Sequence, residues 1–452
     1  MDILDQELAN GTHPDRIAFC SFTRKAVEIA QERAMSQFGF TKKELPYFKT
    51  IHSLAFHQLG LKRDEVLQSK DLRVIGKHLG LTFSTRQDVE EGIPGGRFKG
   101  DRYTFLDSFA RARRMTPEQA WHLIGGEDDL DWYEFKRFVS TLTEYKRQRG
   151  MMDFSDMLTE SHGCLDIDVL ILDEGQDCSA IQWQFIREVL GGAKRTYISG
   201  DDDQAIYQWS GADVPYFQNL SGDRELLHQS HRVPRAIHRV AEKISSRIGQ
   251  RYIKPYLPRP EAGRVEYHMS PDDVDLSHGS WLLLARNTHL LFQLAGVVRS
   301  QGIPYNFRGE STINKSHIRA IRAWEKQRRG DDLDKDELGH VAEWVPKRGV
   351  PKDKIWHEAL VRIPIEEREF YISLLRKGES LTKEPRVSIG TIHSAKGGEA
   401  DNVMLISDMS ARTWKGYQTD PDAEHRVWYV ATTRTRQNLH IIQPTSRMAY
   451  EI

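Results

Sequence analysis

The chain has 452 residues, of which 39% are hydrophobic and 29% charged, with a formal net charge of -1, and its mean hydropathy is -0.59. That length exceeds a single hydrophobic core and predicts roughly three or four domains, while the composition leaves no room for a membrane span. A pI near 7.0 excludes a chain that is basic throughout, so any nucleic-acid surface has to be local.

The opening Met1-Asp2-Ile3-Leu4-Asp5 carries acids where a secretory signal carries basic residues, and a cytoplasmic location is expected. Cys20, Cys164 and Cys178 share no metal-ligand spacing and form no disulfide framework, which fits a reducing compartment, and they read as small buried residues. Ile17 to Cys20 predicts a strand, and Ala26, Val27, Ile29, Ala30 and Ala34 recur at helical spacing just after it. From about Leu61 to Arg149 the sequence is charged and helical, without strand signals. Within it, Arg97 to Arg114 gathers Arg97, Lys99, Arg102, Arg111, Arg113 and Arg114 among aromatic residues. Such a run suits either a surface that tracks a nucleic-acid backbone or a solvated helix face.

Strand signals return at Ile167 to Leu172 and Thr196 to Ser199, linked by a helix through Ile181, Phe185, Ile186 and Val189. This predicts a parallel, right-handed strand-helix-strand unit. A second alternating block begins at Val265 and includes Trp281 to Ala285. A charged helical stretch from about Ser316 to Glu384 interrupts it, and it resumes at Val387 to Gly390, Val403 to Ile406 and Leu439 to Ile442. The expected fold class is therefore α/β, in two units that each carry a helical insertion.

The chemistry concentrates at Asp173-Glu174, directly after a buried strand. Open α/β sheets bind ligands at the carboxyl ends of their strands, so Asp173 is placed to hold Mg²⁺ and Glu174 to polarise a water for attack on a γ-phosphate. The alternative is an ordinary strand end, with Asp177 or Ser179 capping the next helix. The following strand leads into Gly200-Asp201-Asp202-Asp203-Gln204, then Tyr207 and Trp209. Three consecutive acids repel one another unless a cation or donors lie nearby.

These two segments resemble motifs two and three of superfamily-one helicases of the UvrD/Rep type, and further segments match in the family's order. Ser21-Phe22-Thr23-Arg24-Lys25-Ala26 and Thr50-Ile51-His52-Ser53-Leu54 resemble its DNA-contact segments, and Asp153 to Leu158 resembles the segment before motif two. Leu227 to Arg232 resembles motif four, with Ser230-His231 where the family usually has Asn-Tyr. Val387 to Glu399 resembles motif five, with Gly398 in place of a leucine, and Trp428 to Arg436 resembles motif six. His52 and His57 stand five residues apart, and nothing supplies further metal ligands.

The resemblance implies two RecA-like motor domains of the P-loop NTPase type. The first would comprise residues 1–55 and 146–222 with an insertion at 56–145; the second, residues 223–315 and 385–452 with a short insertion at 316–384. ATP, Mg²⁺, single-stranded DNA and single-strand/duplex junctions are the implied ligands, with 3′ to 5′ movement. Asp173, Glu174, Gln204, Arg232 and Arg434 would act on the metal, the water and the γ-phosphate, with Arg434 as an arginine finger. His231, Gly397 and Glu399 would meet the nucleotide, His231 by stacking on adenine and Glu399 at the ribose. Phe22, Thr23, Lys25, Thr50, His52, Tyr207, Trp209, Thr391 and His393 would meet DNA. On this view the ATP site and the DNA track cross the interface of the two domains.

No G-x-x-x-x-G-K-S/T occurs in the sequence: Gly76-Lys77 is followed by His78, and Gly191-Gly192-Ala193-Lys194 by Arg195. The expectation is that the chain begins just after its phosphate loop. The competing reading is a non-catalytic DNA-binding or assembly subunit that keeps the fold. A helicase-nuclease is disfavoured because the chain ends shortly after motif six.

Overall fold

The computed structural model describes residues 2–84, 98–124 and 129–452. They form two compact units. Unit 1 comprises Met1–Leu227, Ile244–Pro255 and Lys415–Tyr429; unit 2 comprises His228–Lys243, Tyr256–Trp414 and Val430–Ile452. No described helix is long and apolar enough to cross a membrane.

Unit 1 is built on four parallel strands, β1 (Ile17–Ser21), β2 (Phe48–Thr50), β3 (Val169–Leu172) and β4 (Arg195–Ile198), in the order β2-β1-β3-β4. The pleat sends successive side chains to opposite faces. Ile17 and Val169 pack with Leu4, Ala34 and Phe48 on one side. Ala18, Cys20, Leu170 and Leu172 pack with Leu54, Met157, Ile181 and Phe185 on the other. Both faces of the central strands are covered, which is why they read as continuous apolar runs. The sequence reading passed over β2, whose three residues are too few to show a period.

Helices Ser69–Leu79, Lys99–Ala112, Pro117–Ile124 and Trp132–Arg149 interrupt this sheet in sequence. They enclose a separate core through Ile75, Tyr103, Leu106, Phe135, Phe138 and Leu142. The basic run sits here and is largely neutralised within unit 1. Lys99 pairs with Glu134 at 3.2 Å, Arg102 with Asp129, and Arg111 with Asp153 at 2.6 Å and with Asp156. Arg113 donates to the Ala212 carbonyl at 3.0 Å. Most of these side chains are thus neither a backbone track nor a solvated face; Arg97 lies outside the described residues.

Unit 2 contains strands β5 (Gln229–Pro234) and β6 (Leu257–Arg259), which pair with each other. Its main sheet comprises β7 (Arg264–His268), β8 (Trp281–Ala285), β9 (Tyr305–Phe307), β10 (Glu310–Ser311), β11 (Val387–Thr391), β12 (Ala400–Ile406) and β13 (Thr435–Ile442). The order is β10-β9-β11-β8-β12-β13-β7. All neighbours run parallel except the β9–β10 hairpin. Helices Lys315–Arg328, Lys335–Trp344 and Ile365–Arg376 share the sheet's own core, where Trp324, Val341 and Phe370 join Leu283, Ile389 and Met404. The insertion of unit 2 is therefore an extension of its sheet's packing, whereas that of unit 1 has a core to itself.

Candidate nucleotide and nucleic-acid sites

In unit 1, Asp173 follows β3 directly. Its N–H bonds to the Cys20 carbonyl at 2.8 Å, extending the ladder, and its carboxylate accepts from Ser199 Oγ at 2.8 Å. Glu174 then turns left-handed, with φ 57° and ψ 40°. For a residue with a Cβ that conformation costs about 1–2 kcal/mol, and strain of this kind collects where a side chain must be aimed. The Glu174 carboxylate accepts from Gln176 Nε2 at 2.5 Å, while Gln176 Oε1 accepts from the Asp201 N–H at 3.0 Å. Buried Gln176 thereby ties the end of β3 to the loop after β4. That close approach requires glycine at position 200, where a Cβ would stand 2.4 Å from Gln176 Oε1. Ser179 also caps helix Ala180–Val189, accepting from Gln182 N–H, so the structural alternative for this segment and the acid pair coexist.

The acidic loop does have its cation. Lys254 Nζ lies 2.9 Å from Asp201 and 3.3 Å from Asp203, and it bonds Asp202 as well. Arg251 clamps Asp203 at 2.5 Å. Asp202 also accepts from the Tyr252 N–H and from Gln218 Nε2, each at 2.8 Å, and Arg426 Nε donates to its carbonyl at 2.9 Å. Burial would raise the Asp202 carboxyl, but the neighbouring Lys254 holds it below its ordinary value. For Asp203 burial prevails over Arg251, and its pKa is raised. Gln204 donates to Asp201 at 2.7 Å, so Glu174 and Gln204 belong to one hydrogen-bonded cluster through Gln176 and Asp201, with Asp173 directly before Glu174 and bonded to Ser199. Sequence reasoning missed Gln176, Arg251, Lys254 and Arg426; only Gln176 had a signal, its place within Asp-Glu-Gly-Gln-Asp.

Beside this cluster, Phe22 stacks on Tyr207 with centroids 5.0 Å apart and planes 24° apart. Trp209 stacks on Phe105 at 6.1 Å and 14°. Thr23 caps helix Arg24–Phe38, its Oγ1 accepting from Ala26 N–H at 3.2 Å, and Thr50 caps helix Ile51–Gln58, accepting from Ser53 N–H at 3.3 Å. Both helices start at the carboxyl ends of the paired strands β1 and β2, so two positive helix ends lie close together, as anionic ligands favour. Lys25 is exposed. His52 packs edge-on against Phe154 at 5.5 Å, and burial pushes its imidazole down to about 4, so it is a neutral ring at physiological pH. Phe154 itself is 59% exposed.

In unit 2, Arg232 on β5 bonds Glu399 at 2.7 Å, and Arg436 approaches the same carboxylate at 3.3 Å. Arg232 also donates to the Thr433 carbonyl at 3.4 Å, while His231 is exposed. Arg434 is buried and folded back, with Nε on the Val430 carbonyl at 3.0 Å and Nη2 on Thr433 Oγ1 at 3.2 Å. Arg232, Glu399 and Arg434 thus meet around one helix end. Thr391 caps the turn after β11, accepting from Ser394 N–H at 3.2 Å. His393 is buried in that turn, which closes at Gly397 with φ 78°.

The UvrD/REP helicase N-terminal domain matches residues 5–225, and the UvrD-like helicase C-terminal domain matches residues 366–446. The ATP-dependent DNA helicase Rep of Buchnera aphidicola subsp. Baizongia pistaciae is 25% identical over 232 residues, 46% of this chain and 32% of that protein. A probable DNA helicase II homolog of Mycoplasma pneumoniae is 23% identical over 312 residues, 60% of this chain and 42% of that protein. The ATP-dependent DNA helicase PcrA of Bacillus subtilis is 21% identical over 282 residues, 58% of this chain and 37% of that protein. The chain spans less than half the length of each of these relatives. With both domain patterns matched in order on two parallel-sheet units, the chain belongs to the UvrD/Rep-type helicase family.

Proposed function

We propose that the chain belongs to an ATP-driven motor that moves 3′ to 5′ along single-stranded DNA and engages single-strand/duplex junctions. The observation that carries this reading is the cluster in unit 1, where Glu174 and Gln204 share one hydrogen-bonded loop system, with Asp173 directly before Glu174 and the Phe22–Tyr207 stack beside it. In it Asp173 holds Mg²⁺, Glu174 orients water, and Gln204 senses the γ-phosphate, while Arg232 and Arg434 of unit 2 stabilise charge on the transferred group. His231, Gly397 and Glu399 serve the nucleotide. Phe22, Tyr207 and Trp209 offer π-faces to bases; Thr23, Lys25 and Thr50 hold phosphates at the two helix ends; His52, Thr391 and His393 complete the track. The motor domains are residues 1–55 with 146–222 and 223–315 with 385–452.

Turnover in this reading depends on a phosphate cradle that these 452 residues do not carry in the usual form. The outer edge of β4, unpaired by any described strand, is where a further parallel strand would deliver one beside Asp173. A second reading, a non-catalytic DNA-binding subunit, draws on Arg232 and Arg434 being engaged by Glu399 and by backbone carbonyls. Both readings require single-strand binding. Anisotropy with a labelled oligothymidylate should show binding that weakens steeply with salt and exceeds that for a blunt duplex; lack of single-strand binding would overturn both. DNA-stimulated hydrolysis by a chain that has the cradle separates the first from the second.

A further inference from the structure

Strands β7 and β13 are parallel neighbours, with His440 opposite Glu266 and Ile442 opposite His268. The pleat turns Glu266 and His268 to one face, and there they meet His440. His268 Nε2 lies 3.0 Å from His440 Nδ1. A Glu266 carboxylate oxygen lies 3.7 Å from the former and 3.4 Å from the latter. We propose that Glu266, His268 and His440 form a binding site for a divalent transition-metal ion of the zinc class.

The spacing matches the ion's geometry. Metal bonds of about 2.0–2.1 Å at tetrahedral angles separate ligand atoms by about 3.3–3.4 Å, and the three observed separations bracket that value. Two imidazoles and one carboxylate are donors that suit zinc-class ions and suit magnesium poorly. His440 is fixed in orientation: its ring packs against Trp281 with centroids 5.0 Å apart, and its Nε2 is buried with no hydrogen-bond partner among the described residues. Nδ1 is therefore the atom it presents. The other acid-rich group in the described structure, Asp201 to Asp203, contrasts with this one because Lys254 already fills the cation's place. Half-exposed Glu266 leaves a fourth position to water. The bound ion would pin β7, the edge strand of the seven-stranded sheet, to its only neighbour among the described strands.

The test uses the tag-free chain stripped with chelator and titrated calorimetrically with ZnCl2, with Co²⁺ absorption reporting the coordination geometry. The chain holds 18 histidines, so weak surface binding is expected and the decisive quantity is one tight site per chain. That site should weaken at least about 100-fold in His268→Ala, since even outer-shell losses typically cost about 10–100-fold. It should weaken also in Glu266→Gln, which keeps the shape of a half-exposed side chain and should fold normally. Zn²⁺ should raise the melting temperature of the wild type and not that of His268→Ala. No tight stoichiometric site, or one that both variants leave unchanged, would show that the histidines merely share a hydrogen bond.

Discussion

Replacing Lys254 with methionine keeps most of the stem and removes the ammonium from a site only 7% exposed. Asp201, Asp202 and Asp203 are 14%, 2% and 0% exposed, and Arg251, bonded to Asp203, remains as the neighbouring cation. Removing one partner of a buried ion pair costs about 3–5 kcal/mol, a large share of the roughly 5–15 kcal/mol that holds a domain together. The pH dependence follows from Asp202. In the wild type its pKa is lowered, so it contributes stability above the unfolded carboxylate pKa of about 3.9 and loses it as pH falls through the folded value. Without Lys254, burial acts with less opposition and raises that pKa, so the ionised carboxylate opposes folding at neutral pH. The penalty then shrinks on acidification as the group takes up its proton. Urea unfolding followed by tryptophan fluorescence should show a loss of about 3–5 kcal/mol near pH 7.5 and a smaller one near pH 5.5, read on the transition that reports unit 1. A loss below about 1 kcal/mol with no pH dependence would mean that Lys254 is an ordinary surface cation, and the account of the acidic loop would be wrong.

In a chain that has a phosphate-binding loop, Glu174→Gln should retain nucleotide and Mg²⁺ yet hydrolyse about two to four orders of magnitude more slowly; near-normal turnover removes Glu174 from its role. Arg434→Ala should lose about three to five orders of magnitude in DNA-stimulated turnover with single-strand affinity kept. The reverse pattern would make Arg434 a DNA contact. Trp209→Ala should weaken single-strand binding by about 1–3 kcal/mol in a fluorescence titration. Because Trp209 also stacks on Phe105, some stability goes with it, and a lowered melting temperature with unaltered affinity would leave Trp209 as core packing alone.

What could be read from the sequence was local. Asp173 and Glu174 are adjacent and follow an apolar run, so a strand and a ligand-facing end could be inferred without tertiary knowledge. Thr23 could be placed beside phosphate and Thr50 in a DNA-contact segment by resemblance, but their capping of two helices that start on neighbouring strands depends on β2, which is too short to announce itself. The partners of the acidic loop were hidden by distance along the chain: Arg251 stands 48 residues from Asp203, and Arg426 stands 224 from Asp202. His268 and His440 are 172 residues apart, and no spacing rule links two strands that become neighbours only in the folded sheet. The basic run from Lys99 misled for the same reason, since Glu134, Asp129, Asp153 and Asp156, which neutralise most of it, come from other turns of the chain.

In the proposed motor these residues serve ATP-driven movement on DNA, and the G-x-x-x-x-G-K-S/T pattern that cradles the β-phosphate does not occur among them. Phosphoryl transfer depends on positioning and electrostatic support, so the measurement that bears on it most directly is ATPase activity with and without single-stranded DNA. It should be made on the 452-residue chain and on a version with a phosphate-loop segment fused before Met1. The account predicts weak ATP binding and no appreciable hydrolysis by the former, and DNA-stimulated hydrolysis by a version that gains a phosphate loop. Brisk DNA-stimulated hydrolysis by the 452-residue chain alone, or none by a chain with the loop restored, would contradict it.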